Sequence, residues 1–326
     1  MVYYASLRIV RCRERFYREH LDKQRLHCQN FMTIQAIPTP SPAVRMPSSR
    51  GNIGRHAILL FHGLRSSPGE LLSVVGPLRA AGYKVITPQY KGYSDSRDSF
   101  SVGHWQDWLE EALKSFDFLI EHFDSVSLGG LCSGAILALA VATRRSDQVR
   151  ALTLLSPTLF YDGWALPWLV RLRHLGYYTP LRYFWSIPER APYGVKNPQM
   201  RQWIEREMAE RKSSVAGAAR LPLASIFEVE QLIRHIKPQL SRIVSPALLL
   251  HAREDEVTSL RSPHFLMKHL GSRDKRLIVL EDSYHMITLD NDRRRVIAEM
   301  RNFLLEHTPQ AIDTRLARDR ASVASA

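Results

Sequence analysis

The chain has 326 residues, of which 45% are hydrophobic, and this length is enough to bury a full core in one large domain. Its three cysteines, Cys12, Cys28 and Cys132, are too few and too scattered for a disulfide framework or a zinc site, which favours a reducing compartment. The formal net charge is +13, but no helix-turn-helix, zinc-finger or aromatic ribonucleoprotein motif accompanies it, so we do not expect a nucleic-acid partner.

Residues 1–54 differ in composition from the rest and are predicted to form an extension. Residues 1–25 carry seven Lys or Arg against three acidic residues, and residues 37–54 are rich in proline and serine. Met32 is an alternative start, in which case residues 1–31 are not part of the native protein. A short apolar patch precedes the arginines, the reverse of the order in a secretory signal, and no apolar stretch reaches the roughly 18 residues of a transmembrane helix. We therefore predict a cytoplasmic protein without a membrane span.

Strand and helix patterns alternate from residue 55 to residue 306, which is typical of a mostly parallel sheet with helices on both faces. The predicted strands are residues 57–61, 84–87, 125–128, 151–155, 247–251 and 277–280. The predicted helices are residues 68–81, 103–123, 132–143, 263–270 and 291–306, the last capped by Asp290. Residues 307–326 lose the apolar period and are predicted to be a flexible tail.

The third predicted strand leads into Gly130-Leu131-Cys132-Ser133-Gly134, followed by the apolar run 135–142. This is the pattern of a nucleophile elbow, in which a strained residue lies between a strand and a helix and needs small residues on either side. Cys132 fits the frame. Ser133 does not, because its frame would need glycine at positions 131 and 135. The alternative is a glycine-rich turn around a buried, inert cysteine.

The alternation stops between residues 157 and 225, which we predict to be a helical insertion that lies on the sheet as a lid. Its tryptophans and leucines either line an apolar acyl pocket or form the insertion's own core. Residues 157–224 hold ten basic and five acidic residues, and Arg171, Arg173 and Arg182 are candidates for binding an acidic group. The excess charge is either solvated surface or a contact for an acidic partner, such as an acyl carrier protein or a coenzyme A phosphate.

Two later loops supply candidates for an acid and a base. Asp255 lies four residues beyond the strand that ends at His251, with Glu254 as its rival. His285 lies between the last strand and the last helix, and the order nucleophile, acid, histidine is the one that hydrolases with a nucleophile elbow use.

An oxyanion site is expected where the first strand ends in His62-Gly63-Leu64. The backbone N–H groups of Leu64 and Ser133 are its candidate donors, with His62 as a shaping residue. This chemistry needs no metal or cofactor, and the sequence has no phosphate-binding loop.

Four blocks, residues 59–64, 129–135, 251–257 and 283–290, resemble those of α/β-hydrolases in the bacterial carboxylesterase and monoacylglycerol lipase group, also called serine aminopeptidase-like. The resemblance covers residues 55–306 except the insertion. It implies an esterase fold with Cys132, Asp255 and His285 as the catalytic triad, and the departure is cysteine in place of serine. Similar cysteine elbows occur in dienelactone hydrolase and polyhydroxyalkanoate synthases.

We therefore predict a hydrolase that acts on a small-molecule carboxylic ester or thioester through an acyl-enzyme on Cys132. Because an acyl thioester also reacts with amines, thiols and alcohols, an acyltransferase is the first alternative. A non-catalytic binding protein with a hydrolase fold is the second.

Overall fold

The computed structural model describes residues 55–94, 102–166, 173–211, 213–214 and 217–308. The strands of these residues are β1 (His56–Phe61), β2 (Lys84–Ile86), β3 (Ser125–Leu131), β4 (Val149–Leu155), β5 (Ser186–Pro188), β6 (Ser213–Ser214), β7 (Gly217–Ala218), β8 (Arg220–Pro222), β9 (Ala247–Ala252) and β10 (Lys275–Leu280). The helices are α1 (Leu72–Ala80), α2 (Trp105–His122), α3 (Ser133–Arg144), α4 (Arg173–Tyr177), α5 (Leu181–Phe184), α6 (Pro198–Arg211), α7 (Leu223–Ile236), α8 (Arg261–His269) and α9 (Arg293–His307). Short 3₁₀ turns precede α1 (Pro68–Leu71) and follow α7 (Lys237–Arg242).

Six strands form one parallel sheet in the order β10-β9-β4-β3-β1-β2, which confirms the predicted fold class. Apolar clusters cover both faces of this sheet. Helix α3 packs inside one of them, and every residue from Ala135 to Ala142 is fully buried. The parallel register brings the carboxyl ends of β1, β3, β4 and β9 to one edge, where loops carry the functional groups of such folds.

All six predicted strands are present, and each differs from its prediction at one end only, by one to three residues. The largest difference is at β3, which continues through Gly129 and Gly130 to Leu131 because those glycines pair with Leu60 and Phe61 of β1. Sequence analysis did not predict α7, whose buried face includes two carboxylates, Glu228 and Glu230, that interrupt its apolar pattern.

The predicted cap at Asp290 is wrong. Helix α9 begins at Arg293, and the buried Asp290 carboxylate instead accepts hydrogen bonds from the amides of Lys196 (2.6 Å), Asn197 (2.9 Å) and Tyr284 (2.8 Å), besides that of Asn291. Asp290 therefore ties the insertion to the loop that carries the predicted base.

The insertion between β4 and α7 is helical only in part. Helices α4 to α6 alternate with two antiparallel pairs, β5 with β8 and β6 with β7, that sequence analysis did not predict. The insertion is hydrogen-bonded to the loops after β10 and β1. Met286 N–H, after β10, donates to the Gly194 carbonyl (2.8 Å), and Ala218 N–H donates to the Arg65 carbonyl, after β1 (3.0 Å).

The predicted extension 1–54 and residues 309–326 of the predicted tail lie outside the described residues. Among the residues described, no helix is both long and apolar enough to cross a bilayer.

Candidate active site

Cys132 lies in a sharp turn between β3 and α3, with φ of 57° and ψ of −121°. Positive φ is strained for a residue with a side chain, and it persists only where neighbouring contacts enforce it. Two hydrogen bonds do so here: Cys132 N–H donates to Leu155 of β4 (2.9 Å), and Ala135 N–H donates to Cys132 (3.1 Å). The side chain of Cys132 is only partly buried, so the turn presents its sulfur at the edge of the sheet.

Both flanking glycines are required by close backbone contacts. A Cβ atom on Gly130 would lie 2.4 Å from the carbonyl carbon of Gly134, and one on Gly134 would lie 2.1 Å from the carbonyl oxygen of Phe61. These distances are far below van der Waals contact, so strand, turn and helix approach as a nucleophile elbow demands.

Asp255 and His285 form a buried hydrogen-bonded pair beside this turn. His285 Nδ1 lies 2.8 Å from Asp255 Oδ2, while Asp255 Oδ1 accepts from the amides of Val257 and Thr258, both at 2.9 Å. Burial acts to raise the pKa of Asp255, but the imidazole of His285 and the other neighbours outweigh it and hold the pKa below its ordinary 3.8. The acid is therefore ionised and oriented towards the ring.

The other ring nitrogen of His285 faces the sulfur. Nε2 is buried without a hydrogen-bond partner of good geometry among the described residues, yet the Cys132 sulfur is close enough to act on the ring's charge. Burial acts to lower the pKa of His285, but Asp255 and Cys132 together raise it well above 6.5. This favours a proton on the imidazole when the sulfur is a thiolate, the ion pair that activates cysteine nucleophiles.

Thr158, which sequence analysis missed, adds a hydroxyl to the sulfur's surroundings. Its Oγ1 lies 3.5 Å from Cys132 Sγ and 3.1 Å from the carbonyl oxygen of Ser156. Ser156, with φ of 42°, donates from Oγ to the carbonyl of His285 (2.8 Å). The loop after β4 thus contacts both the sulfur and the backbone of the histidine.

His62 supports the turn after β1, and both of its ring nitrogens have hydrogen-bond partners. Its Nδ1 lies 2.8 Å from the Gly63 carbonyl and its Nε2 lies 2.9 Å from Ser94 Oγ, and burial lowers its pKa to about 4. The Tyr93 hydroxyl donates to the His62 carbonyl (2.6 Å) and lies 3.0 Å from Ser133 Oγ. The two predicted oxyanion segments are therefore joined through one tyrosine, which also leaves the buried Ser133 hydroxyl engaged.

The amides of Leu64 and Ser133 belong to two neighbouring turns, the one after β1 and the elbow itself. A Cβ on Gly63 would be 3.7 Å from Cys132 Cβ, so the turn after β1 approaches the elbow closely. Neither the Leu64 amide nor the Ser133 amide has a hydrogen-bond acceptor within the described ranges.

Two buried carboxyl groups beside the site escaped sequence analysis. Glu70 accepts from Gly63 N–H and from Ser66 Oγ (2.6 Å), and burial raises its pKa to about 7. Glu256 accepts from His285 N–H (3.0 Å), and burial raises its pKa to about 7 as well. The position of Glu256 directly after Asp255 in the sequence could have indicated that it lies at the site. No sequence pattern around Glu70 indicates that Glu70 is buried.

The rival candidates occupy other surroundings. Glu254 is exposed and pairs with Lys196 (2.9 Å). Arg173 is bound to Glu230 (2.6 Å), Arg182 donates to the Tyr177 carbonyl (2.8 Å), and Arg171 lies outside the described residues. In the part of the chain that the structure describes, no group of His, Cys, Asp or Glu side chains is arranged to hold a metal ion.

The three tryptophans of the insertion that the structure describes do not form a buried core. Trp164, Trp185 and Trp203 are 60%, 46% and 38% exposed, and Trp168 lies outside the described residues. The alternative that they line an acyl pocket stays a prediction.

Among known protein families, the model of "Serine aminopeptidase, S33" matches residues 54–292 of this chain. A thermostable monoacylglycerol lipase from Bacillus sp. (strain H-257) is 25% identical over 273 residues, which cover 84% of this chain and 98% of the relative. A carboxylesterase from Bacillus subtilis (strain 168) is 23% identical over 77% of this chain and 93% of its own length. The solved structure of a Paleococcus ferrophilus monoacylglycerol lipase superposes with a TM-score of 0.63 at 22% identity, covering 80% of this chain and 98% of that one.

Proposed function

Because the chain belongs to the serine aminopeptidase S33 family, whose model matches most of its length, we propose that it is an ester hydrolase that uses Cys132 as its nucleophile. His285 serves as the base and Asp255 orients it. The observation that carries the proposal is the strained Cys132 turn, with φ of 57°, beside a His285–Asp255 pair at 2.8 Å. Its two relatives named above are a monoacylglycerol lipase and a carboxylesterase, which makes carboxylic esters the first substrates to test.

The reaction begins when His285 Nε2 takes the thiol proton of Cys132. The thiolate attacks the acyl carbon, a carbon–sulfur bond forms, and the electron pair of the carbonyl moves onto oxygen between the Leu64 and Ser133 amides. As the oxyanion collapses, the bond to the leaving alcohol or thiol breaks, and the imidazolium returns its proton to that group. An acyl thioester on Cys132 remains.

Deacylation repeats these steps with water. His285 removes a proton from a water molecule as its oxygen attacks the thioester, and the proton passes to the sulfur as the carboxylic acid leaves. Throughout both halves Asp255 holds the ring in one tautomer and stabilises its positive charge.

The cysteine itself favours a second candidate, acyl transfer. A thioester reacts readily with amines and thiols, so such acceptors compete with water unless the site positions a water molecule well. Thioesters of coenzyme A or of an acyl carrier protein are then the acyl donors to test.

Intact-mass spectrometry tests the nucleophile. The protein is incubated with short para-nitrophenyl esters, a monoacylglycerol and an acyl-coenzyme A, and its mass is compared with those of Cys132→Ala and Cys132→Ser variants. We expect one acyl adduct on the wild type and none on Cys132→Ala. Cys12 and Cys28 are thiols that could also be acylated, so the Cys132→Ala variant shows whether the adduct is on Cys132. An equal adduct on folded Cys132→Ala would refute the assignment.

Product partitioning separates hydrolysis from transfer. The adduct is allowed to decay with and without added thiol, amine or alcohol, and acid and transfer products are counted. Predominant acid at millimolar acceptor supports the hydrolase, and predominant transfer product supports the acyltransferase. A folded wild-type protein that forms no adduct with any substrate and does not react with iodoacetamide would instead be a non-catalytic binding protein.

A further inference from the structure

A charged cavity of about 250 Å³ is lined by the loop after β4 and by residues of helices α4, α7 and α8. Its lining includes the four cations Arg173, Arg234, Lys237 and Arg261 against two carboxylates, Glu230 and Asp162. Arg173 is nearly buried and Lys237 is half-buried, whereas Arg234 and Arg261 are exposed, the latter with 65% of its side chain. Like charges brought together repel one another unless an anion binds to them, most strongly where they are partly desolvated.

The two carboxylates are already engaged. Glu230 Oε1 accepts from Arg173 Nε at 2.6 Å, and both side chains are nearly buried, so this pair forms a fixed part of the cavity wall. Asp162 Oδ1 accepts from the amide of Ser259 (2.9 Å), and its other oxygen is 3.9 Å from Arg261. Neither carboxylate forms an ion pair with Lys237.

Lys237 contacts aromatic rings and is not in an ion pair. Its side chain is half-buried, and within the described ranges its ammonium forms no ion pair and no hydrogen bond, although the charge of Glu230 reaches it. The exposed Arg234 also has no ion pair among the described residues, and it donates to the Tyr178 hydroxyl (3.4 Å). It lies 4.0 Å from the centroid of the Phe160 ring, and the guanidinium of Arg261 lies 4.0 Å from the same centroid. The two cations therefore cannot be farther apart than twice that distance. A ring stabilises a cation over its face, but it does not neutralise the repulsion between two of them.

The position of Lys237 at the end of α7 accounts for only part of this arrangement. The carbonyl end of a helix attracts a cation, and Lys237 follows the last residue of α7 directly. That attraction is weak and acts on exposed lysines equally well, so it does not explain why Lys237 turns into a cavity towards Arg261.

The cavity is adjacent to the proposed nucleophile. Tyr161 lines it, and the loop that carries Tyr161 also carries Thr158, whose hydroxyl is 3.5 Å from Cys132 Sγ. Tyr161 and Leu64 pack against the same apolar cluster of Tyr177, Leu223 and Ile226. Thr158 and Tyr161 are three residues apart in this loop, so a substrate that occupies both sites must extend along it from the sulfur to the cations.

We propose that this cavity is a subsite for an anionic group of the substrate, a carboxylate or phosphate, bound by Lys237 and assisted by the charge of the nearby Arg261. The inference rests on the proposed function and narrows it to esters or thioesters that carry a negative charge. The anion belongs either to the acyl chain or to the leaving group.

Matched substrate pairs test the subsite and distinguish the two sources. For the acyl side, the mono-para-nitrophenyl ester of glutaric acid is compared with neutral para-nitrophenyl butyrate. For the leaving group, para-acetoxybenzoate is compared with its methyl ester. In Lys237→Gln we expect kcat/KM for the anionic member of one pair to fall at least about tenfold, the worth of one charged hydrogen bond, with its neutral member changed less than about twofold. Lys237→Arg should retain the preference, and the exposed Lys268→Gln is the matched control.

A binding measurement does not depend on catalysis. Inorganic phosphate is titrated calorimetrically at low ionic strength into Cys132→Ala protein with and without Lys237→Gln, and we expect binding that the lysine substitution weakens about tenfold. The subsite is overturned if Lys237→Gln lowers both members of each pair alike, if it changes neither, or if phosphate binding is absent or independent of Lys237. If no ester reacts at all while phosphate binds through Lys237, the proposed function fails and the anion site stands.

Discussion

Glu70 makes the stability of this fold depend on pH in a direction opposite to that of most carboxylates. The side chain is 2% exposed, and burial raises its pKa from 4.5 to about 7 despite its hydrogen bonds to Gly63 and Ser66. In the unfolded chain the same carboxyl ionises near its ordinary value. Between these two pKa values the native state holds a proton that the unfolded state releases, so the free energy of unfolding falls as pH rises from about 4 to about 8.

The size of this effect follows from the shift. A displacement from 4.5 to about 7 corresponds to about 3 kcal/mol, a large part of the 5–15 kcal/mol by which domains are typically stable. The loss is complete once the pH exceeds the native pKa. Glu70→Gln keeps the shape and an oxygen that can accept from Gly63, and it removes the ionisation. The variant should therefore gain about 3 kcal/mol relative to the wild type between pH 4 and pH 8.

Urea unfolding at intervals between pH 4 and pH 8, followed by circular dichroism, measures this difference. Taking the difference between wild type and variant cancels most of the contribution of Glu256, which both proteins contain. Glu121→Gln, an exposed position on α2, controls for the loss of one negative charge. A Glu70→Gln difference that stays constant with pH, or that shrinks as pH rises, would refute the assignment of a protonated buried carboxyl.

Two further substitutions test the elbow and the orientation of the base. Asp255→Asn removes the charge that raises the pKa of His285, so alkylation of Cys132 by iodoacetamide near pH 7 should slow at least about tenfold. The control Glu254→Gln should leave the alkylation rate unchanged. Equal alkylation rates in the two variants would contradict the role of Asp255. Gly134→Ala places a methyl group 2.1 Å from the Phe61 carbonyl oxygen and should lower the free energy of unfolding by at least about 2 kcal/mol. Gly76→Ala, at an exposed position of α1 where a Cβ meets nothing within 4 Å, should instead raise it by up to about 1 kcal/mol. Urea unfolding that ranks the two variants otherwise would contradict the close packing of the turn.

The sheet was predictable because its strands carry their signal locally. Runs such as the apolar residues of β1 and β9 are buried on both faces, and a continuous apolar run is the pattern of a central parallel strand. The family resemblance and the α/β-hydrolase fold inferred from four short blocks are confirmed by the family match and by the solved relatives. The same local logic missed β5 to β8, which are two or three residues long and are formed by pairing within the insertion.

Sequence order also located Cys132, Asp255 and His285, because each follows a strand of one parallel sheet and the carboxyl ends of such strands share an edge. Their catalytic roles stay predictions. The buried carboxyls could not be located this way, since Glu70 is held by Gly63 and Ser66, contacts that only the folded chain assembles. Asp290 shows the same limit. An acidic residue just before a predicted helix is expected to be the N-cap of that helix. The carboxylate of Asp290 instead accepts hydrogen bonds from the amides of Lys196 and Asn197, which are almost a hundred residues away in the sequence. Local propensity predicts the hydrogen-bond partner of a polar side chain only when no donor from a distant part of the chain competes for it. Loops from several strands meet around the predicted nucleophile, so donors from distant parts of the chain are most frequent there.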